Sequence, residues 1–244
     1  MRELAYRPAR RPTKLLAHNE NRVASGLVLD LDADDPNVLH AQVAGAISKW
    51  LSSPRLANNV TQDTGSAQPL TNSTTLNNKN VISFVSSDSL TGSTTATLGM
   101  NSSDYEVFIV FRSSSAATQF LFAGAFADKE IHLNGVSGAR FIPQLGSGDY
   151  SDVGADEDYT DGAGHIVNAR NDNGTATVRV DAVDAVDTSA DGDSGTDGQM
   201  FLGIRANSSL PLIGDIARVL IFNRLLSSAE RSAVEAPLTN GWGL

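Results

Sequence analysis

Tyr105-Glu106-Val107-Phe108-Ile109-Val110-Phe111-Arg112 decides how this chain of 244 residues folds. In an extended strand Tyr105, Val107, Ile109 and Phe111 share one side, while Phe108 and Val110 make the other side apolar as well. A strand apolar on both sides belongs between packed layers. Further strand patterns follow at regular spacing: Leu27–Asp32, Val81–Val85, Gln119–Ala125, Lys129–Val136, Ala139–Leu145, His165–Asn171, Thr175–Val183, Met200–Arg205 and Leu212–Phe222. Asn173-Gly174 between two alternating runs predicts a two-residue hairpin. Beyond it Ala176, Val178 and Val180 are expected inward, with Thr177, Arg179 and Asp181 outward. Residues 53–80, rich in Asn, Thr, Ser and Gln, are expected to form long loops. Many short strands without intervening helices predict a sandwich or jelly roll.

One helix is expected, near the end. Ser227-Ser228-Ala229-Glu230 is a capping box, in which Ser227 caps the first turn and Glu230 reaches back to it. Pro237 is expected to stop this helix near Ala236, because proline lacks an amide and clashes with the preceding turn.

Charge divides the chain. The net charge is −10, with a pI near 4.7. Within residues 1–25, Arg2, Arg7, Arg10, Arg11, Lys14 and Arg22 stand against Glu3 and Glu20, six against two, a net of +4. Between Asp149 and Asp197, twelve Asp and Glu157 stand against Arg170 and Arg179, a net of −11. Pro8 and Pro12 and the lack of an apolar period make residues 1–25 an extended basic arm, before one domain over residues 26–244. An acidic body argues against nucleic acid and anionic membrane as partners. No apolar segment follows the basic start as a secretion signal requires, and the apolar run 120–127 is too short to cross a bilayer. With no cysteine, disulfides and thiolate metal sites are impossible.

At its C-terminal end the chain resembles a known family. Gly214-Asp215-Ile216-Ala217-Arg218-Val219-Leu220-Ile221-Phe222-Asn223-Arg224-Leu225-Leu226-Ser227-Ser228-Ala229-Glu230-Arg231, closing on Trp242-Gly243-Leu244, is similar to the last strand and short helix of laminin-G-like, concanavalin A-like lectin/glucanase domains. Leu29-Asp30-Leu31-Asp32-Ala33-Asp34-Asp35, Trp50, Gln68-Pro69, Val81-Ile82-Ser83-Phe84 and Ser87-Asp88-Ser89-Leu90 follow in the family's order. The resemblance spans about Gly26 to Leu244, and Pro237 departs from it. It implies a concanavalin A-like jelly-roll sandwich of two curved antiparallel sheets. Domains that look like this occur in bacteriophage virion proteins and bacterial surface proteins, and the fold alone assigns no activity.

Candidate chemistry is sparse. The glucanase branch places acids as Glu-x-Asp-x-x-Glu on one strand, and none of the seven glutamates stands in that pattern. Glu106 alternates outward, with Phe108 where that pattern needs an aspartate. His18, His40, His132 and His165 have neither a nucleophile serine nor metal-ligand spacing near them. Asp191, Asp193 and Asp197 place oxygen ligands at short alternating spacing that suits calcium, or else form a solvated acidic turn; Asp152, Asp156 and Asp158 repeat the pattern more weakly. For a sugar, Tyr150 and Tyr159 are the expected exposed platforms. Taken together, these features favour a non-enzymatic bacteriophage virion protein, a capsid decoration or tail component. Its basic arm would hold it to other virion proteins or to the acidic region of neighbouring copies of itself, as a homo-oligomer. The alternative is a surface module that binds glycans; a third reading is a glycoside hydrolase.

Overall fold

The computed structural model describes residues 25–41, 45–53, 56–101, 104–124, 129–135, 138–142, 151–153, 157–173, 175–184, 197–206 and 208–244. The first strands are β1 (Leu27–Asp32), β2 (Leu39–Ala41), β3 (Ile47–Leu51), β4 (Asn59–Thr61), β5 (Leu70–Leu76) and β6 (Lys79–Phe84). Then come β7 (Leu90–Thr94), β8 (Asp104–Ser113), β9 (Thr118–Ala123), β10 (Glu130–Asn134), β11 (Ala139–Ile142) and β12 (Ser151–Val153). The last are β13 (Gly164–Asp172), β14 (Thr175–Val180), β15 (Val183–Asp184), β16 (Gln199–Leu202) and β17 (Gly214–Phe222), before helix α1 (Ser228–Trp242). Two antiparallel sheets result. Sheet A runs β15-β14-β13-β8-β17-β6-β5, with β1 also on β17; sheet B runs β12-β11-β10-β9-β16-β7-β4-β3-β2.

Strand β8 sits where its sequence puts it. It pairs with β13 from Arg112 opposite Gly164 to Asp104 opposite Asp172, and with β17 on its other edge. Tyr105, Val107, Ile109 and Phe111 join the core between the sheets. Phe108 and Val110 join a second cluster on the outer side, where Val81, Ile166, Leu220 and Phe222 meet Leu226, Val234, Leu238 and Trp242. The three layers are therefore sheet B, sheet A and α1. The predicted hairpin is present, with Asp172 opposite Thr175 and Asn173 at φ 49. Ala176, Val178 and Val180 are fully buried, as alternation requires.

Two expectations are corrected. Residues 53–80 are not loops throughout: they hold β4, β5 and the start of β6, and Asn77 and Asn78, at φ 49 and 59, turn β5 into β6. Strand β5 lies at the edge of sheet A, where side chains facing solvent can be polar. Nor does Pro237 end the helix, which continues to Trp242. An interior proline costs about 3 kcal/mol. Val234, Leu238 and Trp242 are buried on the sheet, and each such side chain contributes about 1.5–3 kcal/mol. Packing therefore outweighs the lost hydrogen bond. The capping box at Ser227 and Glu230 holds the start, and Gly243, left-handed at φ 68, closes the end on the Thr239 carbonyl.

Charge fixes the helix to the sheet. Glu106, fully buried beneath it, accepts from Arg231 Nε at 2.7 Å and from the Leu226 amide at 2.6 Å. Arg224, paired with Glu230 at 2.7 Å, is the main reason the Glu230 carboxyl is pulled down to about 2.

Candidate functional site

With α1 on the outer side of sheet A, sheet B presents the broad face that no α-helix among the described residues covers. Trp50, Val60, Leu90, Met200 and Leu202 point into the core, so their strand neighbours point out. The register brings these together: His40 lies opposite Lys49, Lys49 opposite Thr61, Thr61 opposite Thr91, and Thr91 opposite Phe201. His40 is exposed; Lys49, Thr61, Thr91 and Phe201 are half-buried. Strands lie about 4.8 Å apart, so the row spans about 19 Å across β2, β3, β4, β7 and β16. It offers an accessible ring, two hydroxyls and a cation on a rigid sheet.

Further along the face, Phe120 stacks on His132 with ring centroids 4.8 Å apart, and the Arg205 guanidinium lies 5.4 Å from the Phe120 ring. Arg205 Nε pairs with Glu130 Oε1 at 2.7 Å. Phe120, His132 and Glu130 are buried, so this end acts as a support beside the open row.

Two clefts lie elsewhere. One, of about 260 Å³, is lined by Arg112, Ser113, Ser114, Gly162, Gly214 and Asp215. Its guanidinium is engaged: Nε on Asp215 at 2.9 Å, Nη1 on the Thr75 carbonyl at 3.1 Å and Nη2 on Thr74 Oγ1 at 2.9 Å. The other, of about 270 Å³, is bordered by Ala33, Asp34, Pro36, Leu39, Thr71, Asn72 and Asn80. Each cleft has a single carboxylate in its lining, Asp215 or Asp34.

His165 closes one end of the core, against Phe111 at 5.6 Å and edge-on to Tyr159 at 5.4 Å. Its Nδ1 lies 2.7 Å from Asp181 and its Nε2 3.2 Å from Asp161. Burial opposes charge on the ring, but the two carboxylates outweigh it and raise the pKa above 6.5. The folded state thus holds this proton more tightly than the unfolded chain. The resulting stability is complete below the unfolded pKa and is lost as pH rises through the raised folded value. Denaturant midpoints measured between about pH 6 and pH 8 should fall with rising pH, and His165→Gln should remove that component of the slope. An equal slope in the variant would exclude His165 as its source.

Of the sequence-predicted site residues, Asp197 and Tyr159 are among those described. Arg2, Arg7, Arg10, Arg11, Lys14 and Arg22 lie outside the described residues, as do Tyr150, Asp191 and Asp193. Asp197 is described. Its Oδ1 accepts from the Ala96 amide at 2.8 Å and from Thr95 Oγ1 at 3.3 Å, and the amide bond leads in holding its pKa low. These bonds tie Asp197 to the turn that follows β7. Among the described residues no three His, Asp or Glu side chains gather as a metal site. Tyr159 is corrected: it is only 7% exposed, held in the core beside His165, and cannot serve as an open platform. Phe201 carries no such mark in the sequence. Met200-Phe201-Leu202 is apolar throughout, so only strand register shows which side chain faces out.

Comparison with known proteins places the architecture. No family model and no curated protein matches the chain. Among solved structures, Trypanosoma rangeli sialidase in complex with the inhibitor DANA aligns with a TM-score of 0.58 at 13% identity, over 84% of this chain and 32% of that one. The chain thus spans about a third of the sialidase. Domain 4 of AbnA, a GH43 extracellular arabinanase from Geobacillus stearothermophilus, in complex with arabinotriose, aligns at 0.55 and 14% identity, over 86% of this chain and 98% of that domain. The binding domain of botulinum neurotoxin DC in complex with SialylT aligns at 0.51 and 10% identity, over 88% of this chain and 52% of that one. The fold is a jelly-roll β-sandwich. At these identities the likeness is one of architecture, and it agrees with the two-sheet sandwich expected from the sequence.

Proposed function

We propose that this domain is a carbohydrate-binding module with no catalytic step of its own, and that the outer face of sheet B meets the sugar. The observation that carries this reading is the row His40, Lys49, Thr61, Thr91 and Phe201, set in register on five adjacent strands. A sugar ring needs an apolar surface for its C–H face and hydrogen-bonding groups at its rim. Phe201 supplies the first. The hydroxyls of Thr61 and Thr91 supply the second, since neither makes a hydrogen bond within the described residues. The arabinanase domain adds support, because it matches over nearly its full length and is named as a complex with arabinotriose. A non-catalytic role accords with clefts that each offer one carboxylate where glycoside hydrolysis uses two.

The comparisons favour this module over the virion protein expected from the sequence. Virion placement is a proposal that rests on the family resemblance and the basic arm. The test is a glycan array followed by titration calorimetry. Phe201→Ala should weaken the best ligand by tenfold or more while leaving the thermal midpoint within a few degrees. Unchanged affinity in that variant would remove sheet B as the binding face.

A further inference from the structure

We propose that this surface selects glycans bearing an anionic group, a carboxylate or a sulfate, and that Lys49 is the residue that recognises it. The inference rests on the glycan-binding reading and names the ligand class for the same row.

Lys49 stands apart among the described cations. Arg112, Arg170, Arg179, Arg205, Arg218, Arg224 and Arg231 each pair with a carboxylate, and Lys79 lies 4.0 Å from Asp34 and 4.9 Å from the Trp242 ring. Lys129 and Arg140 are engaged as well. Lys49 has no such contact within the described residues, in a chain whose net charge of −10 supplies carboxylates in excess. Its position is also unusual. Outward lysines commonly guard the edges of sheets, and lysine is depleted within them. Strand β3 is not an edge, because β2 and β4 flank it. Its cross-strand neighbours are His40 and Thr61, and the row contains no carboxylate.

An ammonium left unpaired in one row with two free hydroxyls and, farther along, an aromatic ring is suited to an anion on the ligand. A charge-assisted hydrogen bond is roughly twice as strong as a neutral one. The overall negative charge does not forbid this, since interactions between exposed charges fade beyond about 8–10 Å in physiological salt. The local cation decides at contact distance. Lys49 lies three strand spacings from Phe201, about 14 Å. The ligand is therefore an oligosaccharide whose acidic unit is separate from the unit stacked on Phe201.

The test uses the full chain and matched oligosaccharide pairs, such as trigalacturonic acid against galactotriose and a sulfated lactose against lactose. Titration is run with wild type, Lys49→Met, Lys49→Arg and Phe201→Ala, each checked for an unchanged thermal midpoint. We expect the acidic member of at least one pair to bind fivefold or more tightly, with the gap narrowing in high salt. Lys49→Met should remove the preference, bringing the acidic and neutral members of the pair within twofold of each other, Lys49→Arg should keep it, and Phe201→Ala should weaken both members. Equal binding of acidic and neutral members by wild type, or a preference that survives Lys49→Met, overturns the anionic assignment and leaves the glycan-binding reading standing. If wild type binds no glycan, acidic or neutral, that reading fails and this inference fails with it.

Discussion

Glu106→Ala should lower the stability of the domain by about 3–5 kcal/mol, seen as a drop in the denaturant midpoint with little change in slope. The carboxylate is fully buried between sheet A and α1, and both of its oxygens are used. Removing it leaves the Arg231 guanidinium, which is 13% exposed, facing an apolar cluster without its counter-charge. It also strands the buried Leu226 amide without an acceptor from Glu106. Glu106→Gln should be milder, because an amide oxygen can still accept from Leu226. Replacing Glu106 and Arg231 together by apolar residues should recover part of the loss, since the penalty comes from the orphaned charge. A fall below about 1 kcal/mol in Glu106→Ala would mean that packing alone holds the helix.

The second large effect should come from a single methyl group. Gly203 follows β16 at φ +79, and a Cβ placed there would lie 2.2 Å from a Phe84 ring carbon. Phe84 is fully buried in the core between the sheets and cannot retreat into solvent. Gly203→Ala therefore combines left-handed strain of about 1–2 kcal/mol with overpacking of about 1–3 kcal/mol. The sum, about 2–5 kcal/mol, should appear as a lowered thermal midpoint and as faster amide exchange in β6 and β16. Phe84→Leu introduced beside Gly203→Ala should return some stability by making room. If Gly203→Ala alone is neutral, the close approach is not a constraint in solution.

Local rules made part of this molecule legible. The two-sided apolar pattern of β8 announced a layer on each face, and both are present. Ser227 and Glu230 announced a helix start, because a capping box needs only residues three apart. The helix end was hidden, since the packing of Leu238 and Trp242 that overrides Pro237 is a long-range matter. The β5–β6 hairpin was hidden too: Asn77-Asn78 has none of the glycine that usually marks such a turn, and edge strand β5 lacks apolar alternation. The candidate surface was hidden for a third reason. Lys49 and Phe201 are far apart in the chain, and only the order β3-β4-β7-β16 sets them in one row. Tyr159 misled because an aromatic residue in an acidic stretch gives no sign of the His165 ring it packs against.

Strand β17 accepts two partners end to end along one edge, β6 at residues 214–216 and β1 at residues 218–222. Arg218 therefore meets Asp32 across a separation of 186 residues. A ribosome adding 5–20 residues per second would need roughly 10–40 s between delivering the two. Once made, β1, β6 and β8 each wait with an open edge for the strand that joins them. Maturation of this sandwich is thus gated by the synthesis of β17, and nascent chains halted before Gly214 should be the ones that recruit chaperones or clump.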